Sequence, residues 1–300
     1  MKIRKAVIPV AGFGTRFLPA TIAQPKEMLP VVDIPVVQYI VEEMVASGIK
    51  EIIFVTGRGK RAIEDHFDPS PELENLLEEG RKIKLLKEIK RISNLAKFIY
   101  VRQNKPLGNG HALLCAKEVV GNEPFAFSYG DDIIEAKVPA IKQMTETYNK
   151  YGDMIVGVLE VPRENVSRYG IVRPKNKEVN TKNFEITQIV EKPEIKDAPS
   201  NFASVGRYIF NPDIFEALKI TKPSKIGEIW LADAVDKILK KRAAYACNLE
   251  GTYYDCGNKL EYLKANLAFG LRHKEVGKEF RKYIRGLKTQ KSKALNPNTF

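Results

Sequence analysis

The sequence predicts an α/β fold: a doubly wound, mostly parallel mixed sheet with helices on both faces, then a β-rich elaboration and C-terminal helices. Three observations predict it. Short apolar runs alternate with amphipathic helical patterns through the first half. Glycine turns and charged residues follow those runs, where open α/β sheets bind ligands. The second half changes to strands with few helices between them, which implies antiparallel additions to one edge.

The elements follow in order. KAVIPV (residues 5–10) is apolar and rich in β-branched residues, so it reads as a core strand. In PVVQYIVEEMVASG (35–48), Val37, Ile40, Val41 and Met44 share one helical face, and Gly48 stops the helix. EIIFVTG (51–57) is a second strand. A long helix is expected over 72–96, with Leu85, Ile89, Ile92 and Ala96 as its core-facing seam and six basic residues between 81 and 91 on its other faces. KFIYVRQ (97–103) is a third strand, NGHALLCAKEVV a helix, and PFAFSYGDD (124–132) a fourth strand ending in two aspartates. The helix IKQMTETYNKY leads to the strand DMIVGVLEV. YGIVRP, FEITQIVEKP and SVGRYIF are the later strands. Helices at 213–218 and 228–241, the strand AAYACNLE and a helix from about Gly257 complete the chain. The expected organisation is one domain over 1–274, in two halves that divide at about 135–136. A basic helix or tail follows over 275–300, its closing residues 288–300 without regular structure.

Bulk features exclude several classes. No apolar run approaches the roughly 20 residues that span a bilayer. The apolar run at the N-terminus ends in a glycine turn rather than a cleavage site, so no signal peptide is read. Cys115, Cys247 and Cys256 are too few and scattered for a zinc site or a disulfide framework, which makes a reduced, cytoplasmic setting the expectation. Of the net charge of +12, residues 271–300 supply +7 through nine lysines and arginines against Glu275 and Glu279. A solvated helix with a frayed end accounts for that tail better than nucleic-acid or membrane binding, because the aromatic residues lack RNA-module spacing.

The chemistry-bearing residues cluster after strands. Gly12 and Gly14 let the chain turn tightly and expose backbone, and Arg16 and Lys26 add positive charge, which points to an anion site, phosphate above all. GFGTRF lacks the third glycine of a dinucleotide fingerprint and the GKS or GKT of a Walker A loop, so a purely structural turn stays open. Asp131 and Asp132 suit a hard divalent cation held by one carboxylate with phosphate oxygens filling other positions. The other reading is a helix N-cap beside a solvent-facing acid. LGNGHA (107–112) is a second glycine turn, able to face a base or sugar or to be an ordinary loop, with His111 structural. Glu191 and Lys192 adjoin at a strand end, where an extended chain sends neighbours to opposite sides. Ser128, Ser204 and Cys256 have no evident base partner for nucleophilic catalysis.

GFGTRFLPAT, PKEMLPVVD, QYIVEEMVASGIKEIIFVTGRGKRAIEDHFD, LGNGHA, VEKP, APSNFASVGRYIF and YDCGNK, in that order from residue 5 to about 274, together resemble the bacterial-type UTP–glucose-1-phosphate uridylyltransferases of the sugar-nucleotidyltransferase superfamily. The resemblance implies a Rossmann-like nucleotidyltransferase fold and a reaction of UTP with glucose 1-phosphate, assisted by Mg²⁺. It implies backbone contacts from Ala11 and Gly12 to uridine, and Gln103 and Gly108 reading uracil. Gly14, Thr15, Glu27 and Asp132 are likewise assigned to the nucleotide. Arg16 and Lys26 would hold the triphosphate, and Asp131 the metal, with Asp255 a second ligand. Lys192 would grip the glucose phosphate, Glu191 and the Gly170 backbone the sugar hydroxyls, and Val205 would lie alongside the sugar. A nucleotide-binding half to about 135, a sugar-phosphate-binding half from about 136 to 274, and a homo-oligomer, dimer or tetramer, are implied as well. Three places depart from the pattern: Ile22 where the family usually carries lysine, Trp230 where it usually carries glutamine, and SYGDD (128–132) where the approach to the aspartate is usually more apolar. Two alternatives stay open: a same-fold enzyme using dTTP or another sugar 1-phosphate, and a non-catalytic regulatory paralogue.

Overall fold

The computed structural model describes residues 2–289 except 177, 178, 180 and 226. The strands in chain order are β1 (Lys5–Pro9), β2 (Pro30–Val31), β3 (Ile34–Pro35), β4 (Glu51–Thr56), β5 (Lys97–Arg102), β6 (Phe125–Ser128), β7 (Asp132–Glu135), β8 (Met154–Glu160), β9 (Gly170–Pro174), β10 (Asn183–Glu191), β11 (Phe202–Phe210), β12 (Ala244–Asn248) and β13 (Thr252–Asp255). The helices are α1 (Val36–Ala46), α2 (Arg61–Phe67), α3 (Pro71–Glu79), α4 (Ile83–Ser93), α5 (Asn109–Cys115), α6 (Lys117–Val120), α7 (Ala140–Tyr151), α8 (Asp213–Lys219), α9 (Leu231–Leu239), α10 (Lys259–Arg272) and α11 (Gly277–Thr289).

One nine-stranded sheet runs β5-β4-β1-β6-β11-β8-β12-β10-β9. Its first four strands are parallel. Alternation along them sorts side chains to two cores. Ala6, Ile8, Ile52 and Phe54 pack with Ile40 and Met44 of α1 and Ile141 of α7 on one face. Val7, Ile53 and Val55 pack with Leu113 of α5, Phe215 of α8 and Val235 of α9 on the other. The doubly wound expectation therefore holds for this half.

The second half differs from its expected placement. β11 is not at an edge; it runs antiparallel between β6 and β8 in the middle of the sheet. Beyond it β12 is parallel to β8, and only β10 and β9 close the edge as antiparallel additions. Near-continuous burial from Ala203 to Phe210 reflects that central position. The long helix expected over 72–96 is two helices, because the chain turns at Gly80 and Arg81 adopts φ 52°. Of the expected seam Ile92 and Ala96 pack against the core, Leu85 is 55% exposed, and the buried leucines are Leu77 and Leu86. The fourth strand stops at Ser128 rather than Asp132, and Asp132 instead opens β7, which pairs antiparallel with β13. The helix expected over 228–241 runs only over Leu231–Leu239, so residues 228–230 have no regular structure, with Trp230 extended. The helix expected from Gly257 starts at Lys259, capped by Asn258, whose side chain accepts from the Leu260 and Glu261 N–H groups. The unstructured end expected over 288–300 lies outside the described residues from 290 onward.

One buried ion pair ties the two halves together. Arg207 of β11, fully buried, donates to Glu43 of α1 at 2.8 Å and to the Asp132 carbonyl at 2.6 Å. Removing one partner strands the other charge in a dry interior. Glu43→Gln is expected to cost about 3–5 kcal/mol of stability, read by urea unfolding. Replacing Arg207 by methionine and Glu43 by leucine together is expected to recover most of that loss; an unchanged midpoint for Glu43→Gln contradicts the assignment.

Candidate active site

The carboxyl ends of β1, β5, β6 and β10 open onto one cavity of about 710 Å³. Ala11, Gly12, Gly14, Thr15, Lys26, Glu27, Gln103, Gly108, Asp131, Glu191 and Lys192 all line it. The first loop shows why glycine is needed. Gly14 sits at φ 67°, and a Cβ there would come within 3.2 Å of both Lys26 Cβ and Thr21 Cγ2. Thr21 Oγ1 donates to the Gly14 carbonyl at 2.8 Å and pins the turn. A Cβ on Gly12 meets nothing within 4 Å, so any side chain there would fill the cavity itself.

Two buried ion pairs form the floor. Lys26 Nζ lies 2.6 Å from Asp131 Oδ2, and Lys60 Nζ 2.8 Å from Glu27 Oε2. Burial works against the Lys26 ammonium, but Asp131 and Glu27 outweigh it and hold its pKa above the usual lysine range. Burial likewise opposes ionisation of Asp131, and Lys26 with Arg16 overcomes it, so the carboxyl titrates below its ordinary value. Glu27 moves the other way, burial raising its carboxyl against the pull of Lys60 and Lys26.

Arg16, Asp132, Gly170, Val205 and Asp255 do not line the cavity itself. Arg16 stands at its rim, 60% exposed, with Nη1 4.0 Å from Asp255 Oδ2. Asp255 accepts the Gly257 N–H at 3.0 Å. A Cβ on Gly257 would collide with Asp131 Oδ2, approach Arg16 Nη2 to 2.7 Å and reach Asp255 Oδ1 at 3.0 Å. Thus Asp131, Asp255 and Arg16 converge on one small hollow beside the cavity. Asp132 lies behind it: Tyr253 Oη donates to its Oδ1 at 2.9 Å and Arg207 to its carbonyl. Burial, with Asp131 and Asp255 nearby, drives the Asp132 carboxyl well above the ordinary range against the pull of Arg207. Gly170 faces Glu191 in the β9–β10 register, where a Cβ would lie 3.0 Å from Glu191 Oε2. Val205 is buried in the core next to Gly206.

The second loop is stitched to the start of α9. Gln103 Nε2 donates to the Gly108 carbonyl at 3.1 Å and toward His111 Nδ1 at 3.0 Å, which leaves its carbonyl oxygen to accept. Burial lowers the His111 pKa and keeps the ring neutral. Gly108 and Gly110 lie so close to the Ile229 carbonyl that a Cβ on either would be 2.8 Å from it. Glu191 and Lys192 adjoin at the end of β10, yet both line the cavity. Lys192 at φ 46° breaks the alternation of an extended chain and so reconciles the two. Burial raises the Glu191 carboxyl against the opposing charge of Lys192.

Several lining residues carried no assignment from sequence: Phe13, Asn109, Tyr129, Tyr208, Glu228 and Ala232. YG before DD was a signal for Tyr129, since a strand-end residue there must border the same cleft; Lys60 had none, because its partner Glu27 is 33 residues away.

The family model described as nucleotidyl transferase matches residues 5–270. The chain is 48% identical over 286 residues to a UTP–glucose-1-phosphate uridylyltransferase of Bacillus subtilis (strain 168), covering 95% of this chain and 97% of that one. It resembles a solved structure of a UTP-bound UGPase from Acinetobacter baumannii, with TM-score 0.89 and 42% identity over 95% of this chain and 99% of that one. A UDP-glucose pyrophosphorylase complexed with UDP-glucose matches with TM-score 0.81 and 44% identity, over 90% of this chain and 100% of the other.

The hollow at Gly257 yields a direct test. Gly257→Ala is expected to keep the unfolding midpoint near the parent while weakening divalent-dependent nucleotide binding about tenfold by calorimetry. Unchanged binding contradicts the convergence of Asp131, Asp255 and Arg16.

Proposed function

Since the chain belongs to the nucleotidyl transferase family, and within it to the UTP–glucose-1-phosphate uridylyltransferases, we propose that it transfers the uridylyl group of UTP to glucose 1-phosphate, giving UDP-glucose and pyrophosphate. The observation that carries this reading is the single cavity shared by the glycine loop, Lys26 and Asp131 on one side and Glu191 and Lys192 on the other. Two anionic reactants need cations from both directions, and the sheet brings them together.

The sugar phosphate is already an anion at neutral pH, so no side chain has to deprotonate it. Its oxygen attacks the α-phosphorus of UTP in line, that P–O bond forms as the bond to the β-phosphate bridging oxygen breaks, and pyrophosphate leaves opposite. Catalysis then rests on positioning and on cancelling charge. Lys26 and Arg16 hold the triphosphate and steady the leaving pyrophosphate, with Gly12, Gly14 and Thr15 giving the loop its close approach. The Gln103 carbonyl accepts from the uracil N3–H, and Gly108 backs the base. Lys192 grips the glucose phosphate, and Glu191 with the Gly170 backbone takes the hydroxyls.

Mg²⁺ belongs to the same reading. Among the described residues no three His, Cys, Asp or Glu side chains group into a cage, but the hard carboxylate oxygens of Asp131 and Asp255 beside Gly257 suit an ion that completes its shell with phosphate oxygens and water. When bound there the ion supplies charge neutralisation of the triphosphate. Asp132, buried and held by Tyr253 and Arg207, supports the turn rather than the ion.

The halves about 1–135 and 136–274 form one catalytic domain in this reading, with 275–300 as a basic extension. The exposed leucines Leu260, Leu263 and Leu267 on one face of α10 support a homo-oligomer, dimer or tetramer. A cytoplasmic setting is supported by three free thiols; among the described residues no helix is long and apolar enough to cross a membrane.

Pyrophosphate release across UTP, dTTP, CTP, ATP and GTP, each with several sugar 1-phosphates and with or without Mg²⁺, tests the proposal. Turnover is expected with UTP and glucose 1-phosphate and only with the ion; turnover confined to another pair overturns the substrate assignment. Lys26→Ala and Lys192→Ala are each expected to lower kcat/KM about a hundredfold, near 3 kcal/mol of barrier, and full rate in either variant contradicts its role.

A further inference from the structure

Trp230 is the sole tryptophan of the sequence, and it stands in the cavity wall. Its indole N–H donates to Glu228 Oε2 at 3.1 Å, so the ring has no free donor and offers the cavity carbon surface. The backbone beneath it is fixed from three sides. The Ile229 N–H donates to the Leu107 carbonyl at 2.8 Å, the Ile229 carbonyl accepts from Gly110 N–H at 2.9 Å, and the Leu231 N–H is capped by Asn109 Oδ1 at 2.9 Å. α9, which starts just after Trp230, packs against β10, the strand that ends in Glu191. Trp230, Glu191 and Lys192 line the same cavity, which places this wall beside the Glu191–Lys192 pair.

We infer that Trp230 is a specificity-determining residue whose indole packs against the carbon face of the hexose ring while Lys192 holds its phosphate, an inference that rests on the substrate reading above. A pyranose ring presents C–H groups on its faces, and partly positive hydrogens suit the negative face of an aromatic ring. Pockets of this kind combine an aromatic wall for area with a few polar groups for orientation, here Glu191 and Glu228.

A lone tryptophan makes the wall its own reporter. With Mg²⁺ present, saturating UDP-glucose is expected to change the protein's emission, whereas saturating UDP, which differs only by the glucosyl group, is expected to leave it near that of the free protein. Trp230→Ala is expected to raise KM for glucose 1-phosphate about tenfold and leave KM for UTP within about twofold, with Trp230→Phe restoring most of the loss. Equal emission changes with both ligands, which would put the indole on the base or phosphates, overturn the inference. So does a KM for glucose 1-phosphate that Trp230→Ala leaves unchanged in an enzyme that still turns over. A parent protein that releases no pyrophosphate from UTP and glucose 1-phosphate and binds neither ligand overturns the substrate reading together with this one.

Discussion

Taking a lysine and an aspartate out of water costs several kcal/mol per ion, and the structure meets that cost at Lys26 and Asp131 by placing them 2.6 Å apart. The rest of the site depends on this contact. It joins the loop after β1 to the loop after β6 by charge, across the carboxyl ends of two parallel neighbours. It also keeps each group in its charged form against burial, as the opposite shifts of the two pKa values require. Both groups are therefore ready as ions at neutral pH for a polyphosphate and a divalent cation to take over as partners.

A second layer keeps that pair in register. Glu27 follows Lys26 in sequence and is held by Lys60, so the short turn over Lys26–Met28 is anchored from below. Asp132 follows Asp131 and is held by Tyr253 and Arg207, so the other partner's backbone is anchored too. Each functional charge thus has a buried, satisfied neighbour one residue on. The arrangement explains why two acidic residues in succession shift in opposite directions: Asp131 faces a lysine and titrates below its ordinary value, whereas Asp132, more deeply placed beside two other carboxylates, titrates above it.

Much of this was legible in the sequence because it is local. Periodicity marked β1, β4, β5, α1 and α7, and strand-end glycines marked the cavity, since short-range steric rules fix both. What escaped was long-range. The break at Gly80 and Arg81 depends on how α3 and α4 pack, since one glycine inside a helical pattern does not force a stop. The pairing of β7 with β13 joins residues more than a hundred positions apart, so nothing near Asp132 announced that it opens a strand. Lys60 is invisible for the same reason. Lys192 escaped differently: alternation gave the right rule, and a left-handed backbone at one residue suspended it.

The central position of β11 explains how residues from opposite ends of the chain reach one cavity. In the strand order β10 still stands four places from β6, so a flat sheet would hold Glu191 and Lys192 across four strands from Asp131. Neighbouring strands are about 4.8 Å apart, so that displacement would approach 20 Å, too far for one phosphate to touch both groups. Instead β11 packs directly against β6 and carries β8, β12, β10 and β9 on its far side, and a register shift between Ser204 and Tyr208 bends it. β9 then pairs back to β11 at Ala203, curling the edge over the cavity and bringing the end of β10 with it. The nucleotide loop and the sugar-phosphate lysine face each other because the sheet folds round on itself there, and a flat sheet of the same strands would hold the same residues without a site between them.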